Sequence, residues 1–170
     1  MSALENSIPI FAGEFVHALD KKKRVTIPAR WRSGKFDKAA DKADNGDKAT
    51  KGDEYYLVRS STGKFLKAMP PKEFQKVRDE VNGRAELSAQ QKANMLKMFA
   101  AQAQHVVLDS QGRIVIPEPM GSEVGLVEDS DAVLVGAMDT FELWNKAAWE
   151  QHKLEQRDSY QAIIATYLGI

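Results

Sequence analysis

A ten-residue motif occurs twice in this chain, and the second copy matches the first position for position. The copies are residues 19–28 and 108–117, at an offset of 89 residues. Each reads apolar-Asp-x-x-x-Arg-apolar-x-apolar-Pro. Alternating apolar residues around a polar segment are typical of two short β-strands joined by a turn, and the proline ends the second strand because it has no N–H to donate. The duplication predicts two copies of one β-rich unit.

A second match lies further along each copy. Residues 66–70 with Phe74 align with residues 141–145 with Trp149, at an offset of 75. Because this offset is smaller by 14 residues, the first copy carries an insertion that the second lacks. Residues 37–53 are rich in Lys, Asp, Ala and Gly and have no apolar period, which predicts an exposed, mobile loop.

The doubled Asp-x-x-x-Arg motif with its apolar-x-apolar-Pro flank, together with the sequence Phe-Glu-Leu-Trp at 141–144, resembles the MraZ family. That family consists of bacterial DNA-binding transcriptional regulators related to the AbrB swapped-hairpin fold. The resemblance covers roughly residues 11–150. The family motif is usually Asp-x-Lys-Gly-Arg; Gly112 retains the glycine, whereas Lys23 replaces it. If the turn needs a positive φ there, Lys23 is strained or the first turn adopts another form.

One unit of this size has too few strands to bury its hairpins, so two copies should share a core. We therefore expect an α+β, mainly β fold, in which two tandem AbrB-like units form one pseudo-two-fold barrel with linking and C-terminal helices. The resemblance implies that such units assemble into a homo-oligomeric ring. The expected division of the chain is an N-terminal arm (1–13), a first repeat (14–73), linking helices (74–102), a second repeat (103–148) and C-terminal helices (149–170).

Patterning predicts the individual elements. Strands are expected at 55–59, 64–69, 131–136 and 140–144. A helix should open at residues 70–71 and end at 82–83, and Ser88 with Gln91 should cap a second. Asn145 should cap a helix that runs to about Arg157, followed by a separate short helix. The expected apolar faces are Leu96, Phe99, Ala100 and Ala103 on the second helix, and Tyr160, Ile163, Ile164, Tyr167 and Leu168 on the last. The last face and the two tryptophans Trp144 and Trp149 could contribute to a ring interface, although core packing is favoured for each tryptophan.

Charge is balanced overall but unevenly distributed. The formal net charge is zero, yet residues 20–35 carry a local charge of +6, and residues 118–158 one of −7. A basic end on a dipolar molecule favours contact with a polyanion through one face only. The chain has no cysteine, no apolar run long enough to span a membrane and no signal-peptide pattern, so we expect a cytoplasmic protein with no membrane partner. The resemblance to DNA-binding regulators implies that it is nucleoid-associated.

The candidate DNA-binding residues lie on the two turns, which are called the first tip (20–24) and the second tip (109–113). Arg24 and Arg113 are favoured because a guanidinium can donate two parallel hydrogen bonds to a phosphate or to guanine. The residue types equally allow each arginine to pair with the aspartate of its own tip. The accompanying candidates are Lys21, Lys22, Lys23 and Arg30 for DNA, and Asp20, Asp109 and Gly112 for positioning the turns. For Arg32 we favour a solvated surface position.

Enzyme chemistry finds no support in the sequence. His17, His105 and His152 are too few and too scattered for a metal site. No pair of carboxylates sits in a context that suggests acid–base chemistry, and the glycines form no phosphate-binding loop pattern. We therefore expect no catalytic residues, no cofactor and no small-molecule substrate. The leading hypothesis is a sequence-specific regulator of double-stranded DNA; the resemblance implies repeated sites at its own promoter and a cell-division and cell-wall gene cluster. An oligomeric scaffold whose basic tips bind an acidic partner is the alternative, and an RNA binder ranks lower because the tips lack aromatic residues.

Overall fold

The structure is a computed structural model that describes residues 10–32 and 53–170. Eight strands lie within these ranges. They are β1 (Glu14–Ala18), β2 (Arg24–Thr26), β3 (Glu54–Arg59), β4 (Phe65–Met69), β5 (Gln104–Val107), β6 (Arg113–Val115), β7 (Asp131–Gly136) and β8 (Phe141–Asn145). The predicted insertion, apart from Asp53, and the first nine residues of the predicted arm lie outside the described residues.

All strand pairings are antiparallel, and they form two sheets. Six strands follow the order β1-β7-β8-β4-β3-β5, and β2 pairs with β6 in a separate two-stranded ladder. The strands on either side of the first tip therefore do not pair with each other: β1 pairs with β7, and β2 pairs with β6. Each copy of the motif completes its sheet with strands from the other copy.

The strand order reads the same when the two copies are exchanged. In this exchange β1 corresponds to β5, β3 to β7, and β4 to β8. The register follows the same rule, because Val25 lies opposite Ile114 at the centre of the β2–β6 ladder and Lys67 lies opposite Glu142 in the β4–β8 pair. Each pair joins equivalent positions of the two copies, so a pseudo-two-fold axis passes through the centre of both pairs. The α+β, mainly β class is confirmed. The six-stranded sheet is not closed, so the barrel stays a prediction.

The core lies between the sheets and is built from the repeated motif. Val25 and Ile27 of the first copy and Ile114 and Ile116 of the second are all almost completely buried. Trp31 is also fully buried, and its ring lies 5.5 Å from Phe11, 5.2 Å from Phe15 and 5.2 Å from Phe141 between centroids. Close packing of this kind is sensitive to small changes in side-chain volume. The β2–β6 ladder is thus fixed to the large sheet through the core.

The helices largely follow the predictions. They are a single 3-10 turn (Ala29–Trp31), α1 (Pro71–Asn82), α2 (Ala89–Gln102), α3 (Met120–Glu123) and α4 (Lys146–Leu168). Ser88 and Gln91 form the predicted capping box of α2, and the Asn145 side chain accepts hydrogen bonds from two backbone amides at the start of α4. Gly83 follows α1 directly.

Two predictions about the helices were wrong. The predicted stripe on α2 is not buried: Leu96 and Phe99 are half-buried, and Ala100 is exposed. The reason is that α2 contacts α1 through Phe99, which stacks on Phe74 at 5.5 Å between centroids, whereas Leu96 and Ala100 line a groove between the two helices. The predicted break after Arg157 is also absent, because no glycine or proline interrupts residues 146–168 and α4 continues to Gly169, which has a φ of 66°.

The two tryptophans of the second copy differ in their surroundings. Trp144 is 1% exposed, in agreement with the prediction of core packing. Trp149 is only half-buried, and its Nε1 donates a hydrogen bond of 2.9 Å to Glu14. Among the described residues, no helix is both long and apolar enough to cross a membrane.

Prediction: Ile114→Ala lowers the free energy of unfolding by about 2–5 kcal/mol, because it leaves a cavity at the centre of the β2–β6 ladder. Val115→Ala, one residue along the same strand, is the matched control, since Val115 is 53% exposed and its truncation should cost less than about 0.5 kcal/mol. Urea denaturation followed by circular dichroism measures both. Equal costs for the two variants would contradict the assigned centre of the core.

Candidate nucleic-acid interface

The first tip is closed by hydrogen bonds to one aspartate. Asp20 Oδ1 accepts from the backbone N–H groups of Lys22 and Arg24, at 2.9 Å each, and Oδ2 accepts from Arg24 Nε at 2.7 Å. The backbone N–H of Lys23 donates to the Asp20 carbonyl at 2.9 Å. The carboxylate therefore holds both the turn and the guanidinium that follows it.

The second tip repeats this arrangement atom for atom. Asp109 Oδ1 accepts from the backbone N–H groups of Gln111 and Arg113, at 2.9 Å each, and Oδ2 accepts from Arg113 Nε at 2.9 Å. The N–H of Gly112 donates to the Asp109 carbonyl at 3.0 Å. The Asp–Arg pairing that the sequence left open is present at both tips, and sequence spacing alone does not determine it because the pairing depends on the turn geometry.

The fourth residue of each tip has a positive φ, 57° for Lys23 and 74° for Gly112. Both tips thus adopt the same turn, and Lys23 occupies the left-handed region, where a side chain costs roughly 1–2 kcal/mol. Lys23 Nζ forms an ion pair with Glu118. The hydrogen bond from Lys23, and then one from Ser122, hold the pKa of Glu118 below its ordinary value. Lys23 is therefore partly neutralised, whereas Lys21 and Lys22 are exposed.

Each tip is also tied to the other copy of the motif. The carbonyl of Lys23 accepts a hydrogen bond from the N–H of Ile116 at 2.8 Å, and the carbonyl of Gly112 accepts one from the N–H of Ile27 at 2.9 Å. These bonds extend the β2–β6 ladder at its two ends. They fix the two tips relative to each other, since each donor lies on the strand of the opposite copy.

Arg24 and Arg113 lie on the outer face of this ladder. Val25 and Ile114 point into the core, and side chains alternate along a strand, so their neighbours point outward. Arg24 lies opposite Val115 and Arg113 lies opposite Thr26, so the two arginines are diagonal neighbours on the ladder. The Cα atoms of diagonal neighbours are typically about 7–8 Å apart. Their side chains are 27% and 24% exposed. Within residues 10–32 and 53–170, the terminal nitrogens of both guanidinium groups have no hydrogen-bond acceptor.

The arginines lower the pKa of their aspartates. For Asp20 the main cause is the hydrogen bond from the Arg24 backbone, and the hydrogen bond from the Arg24 side chain acts in the same direction. For Asp109 partial burial raises the pKa, but the hydrogen bonds from the backbone and side chain of Arg113 outweigh it, and the net direction is downward. Both aspartates therefore stay ionised at a lower pH than a free aspartate would. Each remains an acceptor for its arginine.

Arg30 and Arg32, which follow the first tip in the sequence, behave differently from each other. Arg30 is exposed, and its guanidinium carbon lies 5.2 Å from the centroid of the Phe15 ring. The solvated position favoured for Arg32 was wrong: Arg32 is half-buried, and its Nε is buried without a hydrogen-bond partner. It lies against Gly112 of the second tip. Sequence reasoning missed this contact because it joins the two copies across 80 residues of chain.

None of the histidines belongs to a metal-binding group that can be formed from the described residues. His105 lies on the edge strand β5 and its Nε2 is 3.0 Å from a carboxylate oxygen of Glu54. The part of the chain that the structure describes contains no group of three or more His, Cys, Asp or Glu side chains that could hold a metal ion.

Comparison with known proteins gives the family. Over 161 residues, 95% of this chain and 96% of the relative, the chain is 31% identical to a protein of Syntrophobacter fumaroxidans named "Transcriptional regulator MraZ". The chain belongs to the MraZ family. The resemblance drawn from the duplicated motif is thereby confirmed. A relative of the same name from Salinispora arenicola is 30% identical over 91% of this chain and 94% of its own length, and one from Leuconostoc citreum is 26% identical over 91% and 94%.

The family description matches the second half of the chain. A family model described as "MraZ protein, putative antitoxin-like" matches residues 98–169, which include the second tip, β5 to β8 and α4. The relatives align over the first copy as well, since each covers about nine-tenths of this chain or more. Both copies of the motif therefore belong to the compared region.

Prediction: Lys23→Gly leaves the free energy of unfolding unchanged within about 0.5 kcal/mol or raises it, because glycine relieves the left-handed backbone and an exposed ion pair contributes little. Lys22→Gly is the matched control. Lys22 does not have a positive φ, so glycine there only adds chain entropy and should cost about 0.5–1 kcal/mol. Thermal and urea denaturation measure both variants. A clear loss of stability in Lys23→Gly alone would contradict this account of the turn.

Prediction: the carboxyl group of Asp109 titrates below the ordinary value of about 3.9, and Arg113→Gln raises its midpoint. Because the folded-state pKa is depressed, the stability from this group is complete above the unfolded-state pKa and is lost as the pH falls through the folded-state value. Carbon-13 NMR titration of the carboxyl groups measures the midpoint. Arg24→Gln is the control and should leave Asp109 unchanged, since Arg24 hydrogen-bonds to the other aspartate.

Proposed function

We propose that the chain is a DNA-binding transcriptional regulator that contacts double-stranded DNA with Arg24 and Arg113. The observation that carries this proposal is the diagonal placement of two outward guanidinium groups on one ladder, with their terminal nitrogens free among the described residues. The relatives are named transcriptional regulators, which supports the same function.

The proposed contact uses each guanidinium in two directions. Nε donates to the aspartate of the tip, which fixes the plane of the group. The two terminal nitrogens then donate to a phosphate oxygen pair or to the O6 and N7 atoms of guanine. Because the group is held before binding, less side-chain entropy is lost when DNA arrives. The aspartates thus act as positioning residues.

The lysines supply non-directional attraction. Lys21 and Lys22 are exposed on the first tip and would add phosphate contacts, and exposed Arg30 would add to them from beside Phe15. Lys23 contributes less in this proposal, because its ammonium is shared with Glu118. The first tip therefore has more charge for general affinity than the second.

Several protomers would act together. A single unit neutralises few phosphates, so its affinity for one short site is low; linked units gain affinity through effective concentration when short sites repeat along the DNA. The exposed apolar residues of α4, Leu154, Tyr160, Ile163, Tyr167 and Leu168, support assembly of the protomers into a ring. The target sites would be repeats at the chain's own promoter and at a cell-division and cell-wall gene cluster, on the nucleoid in the cytoplasm.

Prediction: Arg24→Ala and Arg113→Ala each weaken binding to the duplex upstream of the chain's own gene by about tenfold or more, because each removes charge-assisted hydrogen bonds. Both side chains are partly exposed, so thermal unfolding should stay cooperative. Arg84→Ala is the matched control: Arg84 lies between α1 and α2, is well exposed and pairs loosely with Glu86. Gel-shift titration at two salt concentrations measures binding.

The control and the salt series separate this function from the scaffold alternative. If the protein were a scaffold whose basic tips bind an acidic protein, it would still assemble into oligomers. Wild type would then bind the duplex no more tightly than Arg24→Ala. Unchanged affinity in both tip variants, with Arg84→Ala as the reference, would overturn the proposed function.

A further inference from the structure

Arg32 follows the first copy of the motif in the sequence but lies against the tip of the second. A Cβ atom built at Gly112 would be 2.3 Å from Arg32 Nη1 and 2.8 Å from Arg32 Cζ. The guanidinium therefore occupies the space that any other side chain at this position would take. Gly112 is needed here for two reasons, its φ of 74° and the close approach of Arg32.

The core holds Arg32 in this place. Trp31, the preceding residue, is fully buried and donates from its indole Nε1 to the carbonyl of Ala12 at 3.2 Å. The N–H of Ile27 donates to the carbonyl of Gly112 at 2.9 Å, which joins the chain just before the 3-10 turn to the second tip. With anchors on both sides of Pro28, the chain has little freedom to move Arg32 away from Gly112.

Within residues 10–32 and 53–170, the guanidinium of Arg32 forms no ion pair, and its buried Nε has no hydrogen-bond acceptor. Tyr55 lies close enough to feel its positive charge. Burial raises the pKa of the Tyr55 hydroxyl, and the charge of Asp53 adds to that effect while the charge of Arg32 opposes it, so the phenol stays neutral. A partly buried cation that has no ion-pair partner among the described residues is a group with which an anionic ligand can pair.

The first tip is built differently at the corresponding positions. Lys23 stands where the second tip has Gly112, and Gly121 stands where the first copy has Arg32. Glu118 pairs with Lys23 there, so the space beside the first tip contains both a cation and its counter-ion. The two tips have thus diverged: the first carries its lysines on the turn itself, and the second receives a cation from the opposite copy.

We infer that Arg32 is a third DNA-contacting arginine, which binds a phosphate of the duplex beside the second tip while Arg113 contacts the neighbouring phosphate or base. This inference rests on the proposed function. It assigns the contact to a phosphate because the head of Arg32 lies against Gly112, the residue next to Arg113, and Arg32 is not fully buried. The second tip, with only one cation of its own, gains its phosphate affinity in this way.

The test compares Arg32→Ala, Arg32→Lys and Arg113→Ala in the full chain, with Arg84→Ala as control. The probes are the duplex upstream of the chain's own gene and a random-sequence duplex of equal length, each titrated over a range of salt concentrations. Arg32→Ala should weaken binding to both duplexes by about tenfold, and the slope of log K against log salt should become shallower by about 0.9 for each phosphate that the variant no longer neutralises. Arg32→Lys should retain the slope but only part of the affinity, because lysine keeps the charge without the planar fork.

A merely structural role for Arg32 gives a different result. Arg32→Ala would then lower the melting temperature, and the salt slope of the protein that remains folded would equal that of wild type; this outcome would overturn the inference. Gly112→Ala provides a second variant, since its Cβ would displace the Arg32 head without removing the charge, and it should lose affinity while keeping more of the slope than Arg32→Ala does. If Arg113→Ala weakens binding but Arg32→Ala does not, the inference alone fails. If wild type binds neither duplex, the proposed function fails with it.

Discussion

The hydrogen bonds that join β2 to β6 are the constraint on which the molecule depends. They link the two copies of the motif at Val25 and Ile114, and the bonds from Ile27 and Ile116 extend them to the two tips. Because the ladder is only three residues long, the core beneath it must hold it in place. The same short ladder sets the separation of Arg24 and Arg113. The packing of the core therefore determines the geometry of the two arginines at the surface.

Much of this architecture could be predicted from the sequence, because the signals were local. The strand spans 131–136 and 55–59, the capping box at Ser88 and the cap at Asn145 all depend on residues close together in the chain. The duplicated motif itself indicated how the two copies are related. The α2 stripe failed for a physical reason: helical periodicity identifies a face but not the partner that covers it, and here only Phe99 and its neighbours have one.

The sequence indicated which residues form the candidate site, but not the hydrogen bonds and contacts between them. Asp20, Arg24, Asp109 and Arg113 stand out because the motif is doubled. Their hydrogen bonds occur in a turn whose fourth residue has a positive φ. A glycine at 112 indicates that conformation, whereas a lysine at 23 does not. Arg32 was misjudged because its contact is with the other copy. Contacts between segments far apart in sequence leave no local pattern, so a single sequence gives no sign of them.

The pairing of β1 with β7 has a consequence for how the protein is made. Glu14 and its neighbours bond to residues 131–135, so the N-terminal strand has no partner until more than a hundred further residues have been synthesised. At about 5–20 residues per second, that delay is roughly 6–25 seconds. During that time the side chains of Phe15 and Val16 lack the neighbouring strand that β7 provides in the folded protein. Because β1 and β7 belong to one polypeptide, β1 needs no second chain as its partner, but the β1–β7 pairing forms only after β7 has been synthesised.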